Sequence, residues 1–242
     1  MKHLFLTSNM GCVIKENGIR YSTPINNTNG IVERIKESLK KEETILFFAS
    51  DPTDYEKNDT YCPLIFESFN KSGFNFKNYK IVDDRYTGNL KEDINNADIV
   101  FLNGGHTPTQ MKFFEKIHLR ELLKNHKGVI IGQSAGSLNM AELVVCAPEY
   151  VDEIGSSYTW KGLGLTKINI EPHFVTEELT NPEDILFKEE LMKLSDLYKI
   201  YAILDGTDIY DDGKTQTMYG EGYILEKRKI KKICNNKEKI TL

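Results

Sequence analysis

A serine between two glycines is the residue of this chain whose surroundings most clearly indicate chemistry. Ser134 lies in a G-x-S-x-G pattern at residues 132–136, directly after the apolar run at residues 129–131. A buried strand followed by this pattern and a helix is typical of a nucleophile elbow, whose strained backbone requires small neighbours. The hydroxyl is then exposed above a helix N-terminus, and the backbone N–H of Ala135 is positioned to stabilise an oxyanion. The alternative is a glycine-rich turn that binds a phosphate or only packs tightly.

A pair of glycines follows a second apolar run. Residues 99–102 are apolar, and Gly104, Gly105 and His106 come shortly after them. In open α/β sheets, ligands bind beyond the carboxyl ends of the strands, where glycine backbone allows close approach. Gly104 or Gly105 is therefore a candidate for a second oxyanion N–H, and His106 for a contact with substrate. A tight turn that needs glycine for its backbone conformation is the alternative.

A serine nucleophile also needs a base, for which the chain offers five histidines. His173 follows a strand-like segment that a proline interrupts, which favours a functional loop. His106 remains a candidate because it lies in the glycine turn. Structural or solvated positions are expected for the other three, which are His3, His118 and His126.

The third member of such a site is a carboxylate that fixes the imidazole tautomer. Asp205 follows the apolar run at residues 201–204 and precedes a glycine, so it ends a strand and is the preferred acid. Alternatively, Asp205 only caps a turn. The residue pattern also leaves open other carboxylates, which are Asp208, Glu149, Asp152 and Glu153.

The elements that must position these residues alternate in type along the chain. Strand-like apolar runs are separated by amphipathic segments as far as about residue 205, which predicts a three-layer α/β fold with a mainly parallel, flavodoxin-like sheet. The runs lie at residues 4–6, 45–49, 79–82, 99–102, 129–131 and 202–204. Helices are predicted at residues 30–41, 59–72 and 182–197, with two short helices within 107–125. Short strands at about 215–235 are expected to finish the sheet or form an antiparallel flap. We predict one domain over residues 1–242.

Composition limits the class of protein. Hydrophobic residues make up 40% and charged residues 28% of the chain, and the net charge is −5, so a duplex-binding surface is not expected. The basic run at residues 227–232 is interpreted as a lysine-protected edge hairpin rather than a nucleic-acid patch. No segment has the length of a signal peptide or a membrane span. The four cysteines show no metal-type spacing, which favours a reducing cytoplasm without zinc or disulfides.

The glycine-flanked serine, the glycine pair with its histidine, and Pro172-His173-Phe174 together resemble the peptidase E (aspartyl dipeptidase) and cyanophycinase family of serine peptidases. Nearly the whole chain is covered, with the three motifs in register. The resemblance implies a fold related to the class I glutamine amidotransferase domain. It also implies Ser134 as nucleophile, His173 as base and Asp205 as acid, with no metal or organic cofactor.

The chain departs from the family pattern at positions expected to recognise the substrate. His106 stands where the family usually has asparagine, and Asp205 stands where the dipeptidase has glutamate. Recognition of an aspartyl substrate calls for a cation, ideally an arginine. No arginine follows His173 before Arg228, so Arg85 is the arginine to test for this role. Aspartyl specificity is therefore not predicted.

The expected function is hydrolysis of small peptides, dipeptides above all, through an acyl-enzyme. One alternative is a pseudo-enzyme that binds a ligand or a partner. Another is a glutamine amidotransferase-like protein, although those sites carry cysteine at the elbow instead of Ser134. Small peptides are the expected partners, and neither nucleic acid nor membrane is. The sequence leaves the assembly open, with a homodimer as one candidate.

Overall fold

The computed structural model describes residues 2–156, 158–177 and 179–242. Within them, sixteen strands are β1 (His3–Thr7), β2 (Val13–Glu16), β3 (Ile19–Ser22), β4 (Thr44–Phe48), β5 (Asn78–Val82), β6 (Ile99–Leu102), β7 (Val129–Gln133), β8 (Leu143–Val145), β9 (Thr159–Lys161), β10 (Ile170–Glu171), β11 (Ile200–Ile203), β12 (Asp208–Asp211), β13 (Gln216–Tyr219), β14 (Gly222–Glu226), β15 (Lys229–Cys234) and β16 (Lys239–Thr241). The helices of the same residues are α1 (Ile31–Ser38), α2 (Tyr55–Lys71), α3 (Leu90–Asn96), α4 (Thr107–Lys116), α5 (Leu119–Leu123), α6 (Ala135–Leu138) and α7 (Pro182–Leu194), with a 3₁₀ helix at Val151–Glu153.

Eight strands form the central sheet, in the order β16-β13-β12-β1-β7-β6-β4-β5. The five strands from β1 to β5 in this order run parallel, whereas β12, β13 and β16 add antiparallel pairs at one edge. The prediction of a mainly parallel sheet is confirmed. The pairing places β6 directly beside β7, with Leu102 opposite Gly132. The glycine pair after β6 and the elbow after β7 therefore leave the same edge of the sheet.

Helices cover both faces of this sheet. Alternate strand residues point to opposite faces, so Leu46 and Phe48 join one buried cluster and Ile45 and Phe47 join the other. One cluster contains residues of α3, α4 and α5, and the other contains residues of α1 and α2. These are the three layers that the two-sided apolar runs predict.

A second sheet of four strands, in the order β10-β11-β14-β15, corrects one expectation. The sequence predicts that the apolar run at residues 202–204 belongs to the central sheet, but β11 pairs with β10 on one side and antiparallel with β14 on the other. The C-terminal strands serve both sheets, since β12, β13 and β16 extend the central one while β14 and β15 extend the second. Ile200, Ala202 and Leu225 of this sheet pack with Phe174 and Leu191 in a third buried cluster.

The basic run lies at the edge of the second sheet. Lys227 and Arg228 form the turn between β14 and β15, both with positive φ (52° and 54°). Most of β15 is exposed, and its outer side has no neighbouring strand among the described residues. This placement agrees with an edge hairpin that lysines protect from further pairing.

Three helix boundaries differ from the sequence prediction by three residues or more. Helix α1 ends at Ser38 rather than at residue 41. Helix α2 begins at Tyr55, four residues before the predicted start, because the Asp54 side chain caps it by accepting the N–H of Lys57. Helix α7 ends at Leu194 rather than at residue 197. In the described part of the chain, no helix is long and apolar enough to cross a membrane.

Candidate active site

The turn after β7 has the geometry of a nucleophile elbow. Ser134 has φ 51° and ψ −116°, a conformation that is costly for any residue with a side chain. A Cβ at Gly132 would lie 2.6 Å from the backbone nitrogen of Ser137, and one at Gly136 would collide with the carbonyl oxygen of Leu102. The two flanking glycines are thus required by close contacts, as the sequence pattern predicts.

The structure brings Ser134, His173 and Asp205 together in one chain of contacts. The Nε2 atom of His173 lies 3.0 Å from Ser134 Oγ, and its Nδ1 atom lies 2.8 Å from Asp205 Oδ1. When Nδ1 carries the proton, it donates to the carboxylate and Nε2 is left to accept the hydroxyl proton of the serine. The arrangement can therefore deprotonate a serine during attack on a carbonyl carbon.

These three side chains come from two different sheets. His173 follows β10 and Asp205 follows β11, and these strands are parallel neighbours whose carboxyl ends meet. His173 has φ 55°, and Gly206 after Asp205 has φ 85°. Ser134 instead leaves the central sheet at β7. The site thus forms where the second sheet packs against the carboxyl edge of the first.

Ser8, which lies outside the motifs that predict the site, joins the two sheets at this point. Its hydroxyl donates to Asp205 Oδ1 over 2.6 Å and accepts the backbone N–H of His173 over 2.7 Å. Asn9 adds a weaker contact to Asp205 Oδ2. Burial alone would raise the pKa of Asp205, but the hydrogen bonds from His173 and Ser8 hold it below its usual value. The position of Ser8 in the sequence could have indicated this role, because Ser8 directly follows β1 and β1 is the neighbour of β7 in the sheet.

Backbone N–H groups of the two glycine-containing turns are free to bind an oxyanion. Among the described residues, the N–H groups of Gly104, Gly105 and Ala135 have no acceptor in the protein. A Cβ at Gly104 would lie 3.3 Å from Ser134 Cβ, so the two turns are in direct contact. Unsatisfied donors beside a nucleophile are the arrangement that oxyanion stabilisation requires.

The family model for peptidase family S51 matches residues 22–219, which is most of the chain. This chain belongs to peptidase family S51. The peptidase E resemblance is thereby confirmed, and the protein is a serine peptidase.

Solved structures agree with the fold of this S51 peptidase. A peptidase from an acI-B1 Actinobacterium has a TM-score of 0.66 and 14% identity, over 100% of this chain and 97% of the other. A candidate peptidase E protein from Listeria monocytogenes EGD-e has a TM-score of 0.59 and 17% identity, over 90% of this chain and 98% of the other. No curated protein matches the sequence.

His106 is engaged away from the serine. Its Nδ1 atom lies 2.7 Å from Thr109 Oγ1 and its Nε2 atom 2.6 Å from Glu153 Oε1, while Tyr150 packs on the ring. It lines a neighbouring cavity, and the structure does not bring it into the cavities that contain Ser134.

Arg85, the arginine suggested for an aspartyl substrate, is already neutralised. Its guanidinium binds Asp83 over 2.6 Å and Asp59 over 2.7 Å, and it stacks over Tyr55. The pKa of Arg85 is raised by these hydrogen bonds, first by Asp59 and then by Asp83. Arg85 is not among the described residues that line the cavities at Ser134.

The alternative acids do not contact His173. Asp208 is buried in β12 and pairs with Arg34 over 2.5 Å. Asp152 and Glu153 lie in the 3₁₀ helix, where Glu153 binds His106. Of the carboxylates considered, Asp205 is the one bonded to the imidazole.

Two cavities open on Ser134 and His173. The first, of about 410 Å³, is called the acidic cavity here because three carboxyl groups of the described residues line it, with one lysine and apolar walls. These residues are Glu149, Glu171 and Asp184, then Lys188, then Leu138, Phe174 and Leu191. The second, of about 330 Å³, is called the lysine cavity because the single charged chain among its described lining, histidine aside, is Lys57.

Glu171 in the acidic cavity is held neutral at pH 7. Burial, and secondarily the charge of Glu149, raises the pKa of Glu171 to about 8 from an ordinary 4.5. Since the folded protein retains a proton that the unfolded chain releases, the wild type loses stability progressively as pH rises from 4.5 to 8.

We expect Glu171→Gln to remove this pH dependence. Relative to the wild type, the variant should gain about 3–4 kcal/mol in the free energy of unfolding between pH 5 and pH 8, or roughly 6–16 °C in Tm. Thermal unfolding at both pH values measures the difference. The exposed Glu189→Gln variant serves as control. Equal pH dependence in Glu171→Gln and the wild type would show that Glu171 is ionised at neutral pH.

Proposed function

We propose that this S51 peptidase hydrolyses small peptides through an acyl-enzyme on Ser134. The observation that carries the proposal is the continuous contact chain from Asp205 through His173 to Ser134, on a serine held in a strained elbow. Strain of this kind persists where the surrounding structure enforces it, commonly at active sites.

In the proposed mechanism, His173 Nε2 takes the hydroxyl proton as Ser134 Oγ attacks the peptide carbonyl carbon. The oxyanion is held by the backbone N–H of Ala135 with that of Gly104 or Gly105. Asp205 keeps the Nδ1 proton in place and stabilises the imidazolium. His173 then protonates the leaving amine, and the C–N bond breaks. Water, deprotonated by the same imidazole, hydrolyses the acyl-enzyme and restores Ser134.

Short peptides are the proposed substrates because both cavities are small. Each has a volume of a few hundred cubic ångströms, which suits one or two residues on each side of the scissile bond. The apolar walls and carboxyl groups of the acidic cavity support an apolar or basic acyl residue. They do not favour an aspartyl residue, whose negative charge would face Glu149 and Asp184.

The cysteines support a proposed location in the cytoplasm. All four are unpaired and buried: Cys12, Cys62, Cys146 and Cys234. Free thiols are usual in reducing compartments.

Intact-protein mass spectrometry after treatment with a fluorophosphonate tests the activated serine. We expect one adduct, on Ser134, that is absent in Ser134→Ala and forms at least about 100-fold more slowly in His173→Ala. Hydrolysis of a panel of X-Ala dipeptides, with X as aspartate, asparagine, leucine or lysine, then tests the reaction. A folded wild type that takes no adduct and cleaves none of the panel would rule out the proposed hydrolase.

A further inference from the structure

The two cavities that meet at Ser134 have opposite charge. With Glu171 neutral, Glu149 and Asp184 still outnumber Lys188 in the acidic cavity. Among the described residues that line the lysine cavity, Lys57 is accompanied by no carboxylate. A short free peptide also has opposite charges at its ends, with an ammonium group on one side of the scissile bond and a carboxylate on the other. The polarity of the site therefore matches one orientation of such a peptide.

Lys57 lies close to the turn proposed for the oxyanion. Its Nζ atom contacts Ser50 Oγ at 3.4 Å, and a Cβ at Gly105 would lie 3.1 Å from the same nitrogen. Lys57 is half-buried at the start of α2. Its charge interacts with that of Asp51, but no carboxylate of the described chain is near enough to form an ion pair with it. A half-buried ammonium group that no carboxylate contacts directly favours an anionic ligand.

Two residues that line the same cavity each have a buried side-chain oxygen without a donor among the described residues. Asn103 is only 8% exposed, and its Oδ1 atom has no hydrogen bond to any residue that the structure describes. Its Nδ2 group donates to Cys62 Sγ, which leaves Oδ1 for another partner. The Oε1 atom of Gln133, next to the nucleophile, is also unsatisfied within the described residues. Buried acceptors without partners are costly unless a ligand supplies the donors.

A ligand that satisfies this cavity carries both a carboxylate and an N–H donor. An amino-acid residue with a free C-terminus has both, since its α-carboxylate can pair with Lys57 and its nitrogen can donate to Asn103 or Gln133. In a dipeptide cleaved at Ser134, the residue that leaves is of this kind.

We propose that the lysine cavity binds the C-terminal residue of the substrate, with Lys57 pairing with its α-carboxylate. The acidic cavity then receives the amino-terminal residue. This inference rests on the proposed peptidase function and narrows it to peptides with a free carboxyl terminus, one or two residues beyond the scissile bond.

The test compares the best dipeptide of the X-Ala panel with its C-terminal carboxamide. We expect Lys57→Gln to lower kcat/KM on the free dipeptide by about 10- to 100-fold, mainly through KM, and to change the rate on the amide by less than about 3-fold. Lys57→Arg should restore most of the lost rate. Lys71→Gln, at the far end of α2 and paired with Glu67, changes the net charge equally and should act as the wild type.

Binding to the inactive Ser134→Ala variant gives a second readout by calorimetry. The free dipeptide should bind at least about 10-fold more tightly than the amide, and the difference should vanish in the Lys57→Gln double variant. Equal losses on both substrates would assign Lys57 to oxyanion stabilisation and overturn the carboxylate site. A loss confined to aspartyl dipeptides would assign it to an acidic side chain. Cleavage of neither substrate, without labelling of Ser134, would defeat the peptidase proposal as well.

Discussion

Ser134→Ala is expected to lower kcat for peptide hydrolysis by at least about 10³-fold, to the rate that binding and the backbone N–H groups alone support. The reason is specific to the elbow, since no other hydroxyl in contact with His173 Nε2 is described. Ser8 lies on the Nδ1 side of the ring and cannot replace the nucleophile. Peptide hydrolysis followed by chromatography measures the loss.

Ser134→Gly is the matched variant for this experiment. Glycine adopts φ 51° without the steric cost that alanine retains, so the glycine variant should be inactive yet about 1 kcal/mol more stable than Ser134→Ala. Such a result would separate the loss of the hydroxyl from any change in folding. Retained hydrolysis in both folded variants would exclude Ser134 as the nucleophile.

Asp205→Asn is expected to lower kcat by roughly 10³- to 10⁴-fold with little change in the fold. The amide lacks the negative charge that stabilises the imidazolium, and it can donate to Nδ1 and so favour the tautomer whose Nε2 cannot accept the serine proton. Asp205→Glu should retain more activity than the amide, because a carboxylate remains near His173. Steady-state kinetics of the three proteins measures this order.

Asp152→Asn provides the control for this prediction. Asp152 is exposed in the 3₁₀ helix and was an alternative acid on sequence grounds, so its amide should leave kcat unchanged. The kcat of Ser8→Ala should lie between those of Asp152→Asn and Asp205→Asn, because this substitution removes one hydrogen bond to Asp205 and leaves its charge. A larger loss in Asp152→Asn than in Asp205→Asn would contradict the assignment of the acid.

The sequence predicts much of this fold because the decisive patterns are local. Runs with apolar residues on both parities, such as residues 99–102 and 129–131, became strands buried on both faces of the central sheet. The elbow could also be predicted from the sequence, because its glycines are required by contacts within a few residues or with the adjacent strand. The second sheet could not be predicted from the sequence, because β10 has only two residues and its pairing with β11 joins segments about thirty residues apart.

Site residues outside a motif depended on packing that no local pattern shows. Ser8 has ordinary neighbours, and its role follows only from the approach of β1 to the loop after β11. Lys57 precedes the helix that the sequence predicts from residue 59, because that prediction does not include the cap by Asp54. Arg85 looked available as a substrate cation, yet the fold surrounds it with two carboxylates.

The assembly of the site from two sheets sets an order of events during synthesis. The chain leaves the ribosome with Ser134 first, and Asp205 follows about 70 residues later, a delay of several seconds at roughly 5–20 residues per second. Strand β11 then still lacks β14, its antiparallel neighbour. A nascent chain can fold its elbow early, but the hydroxyl stays without its base and remains as unreactive as that of any other serine.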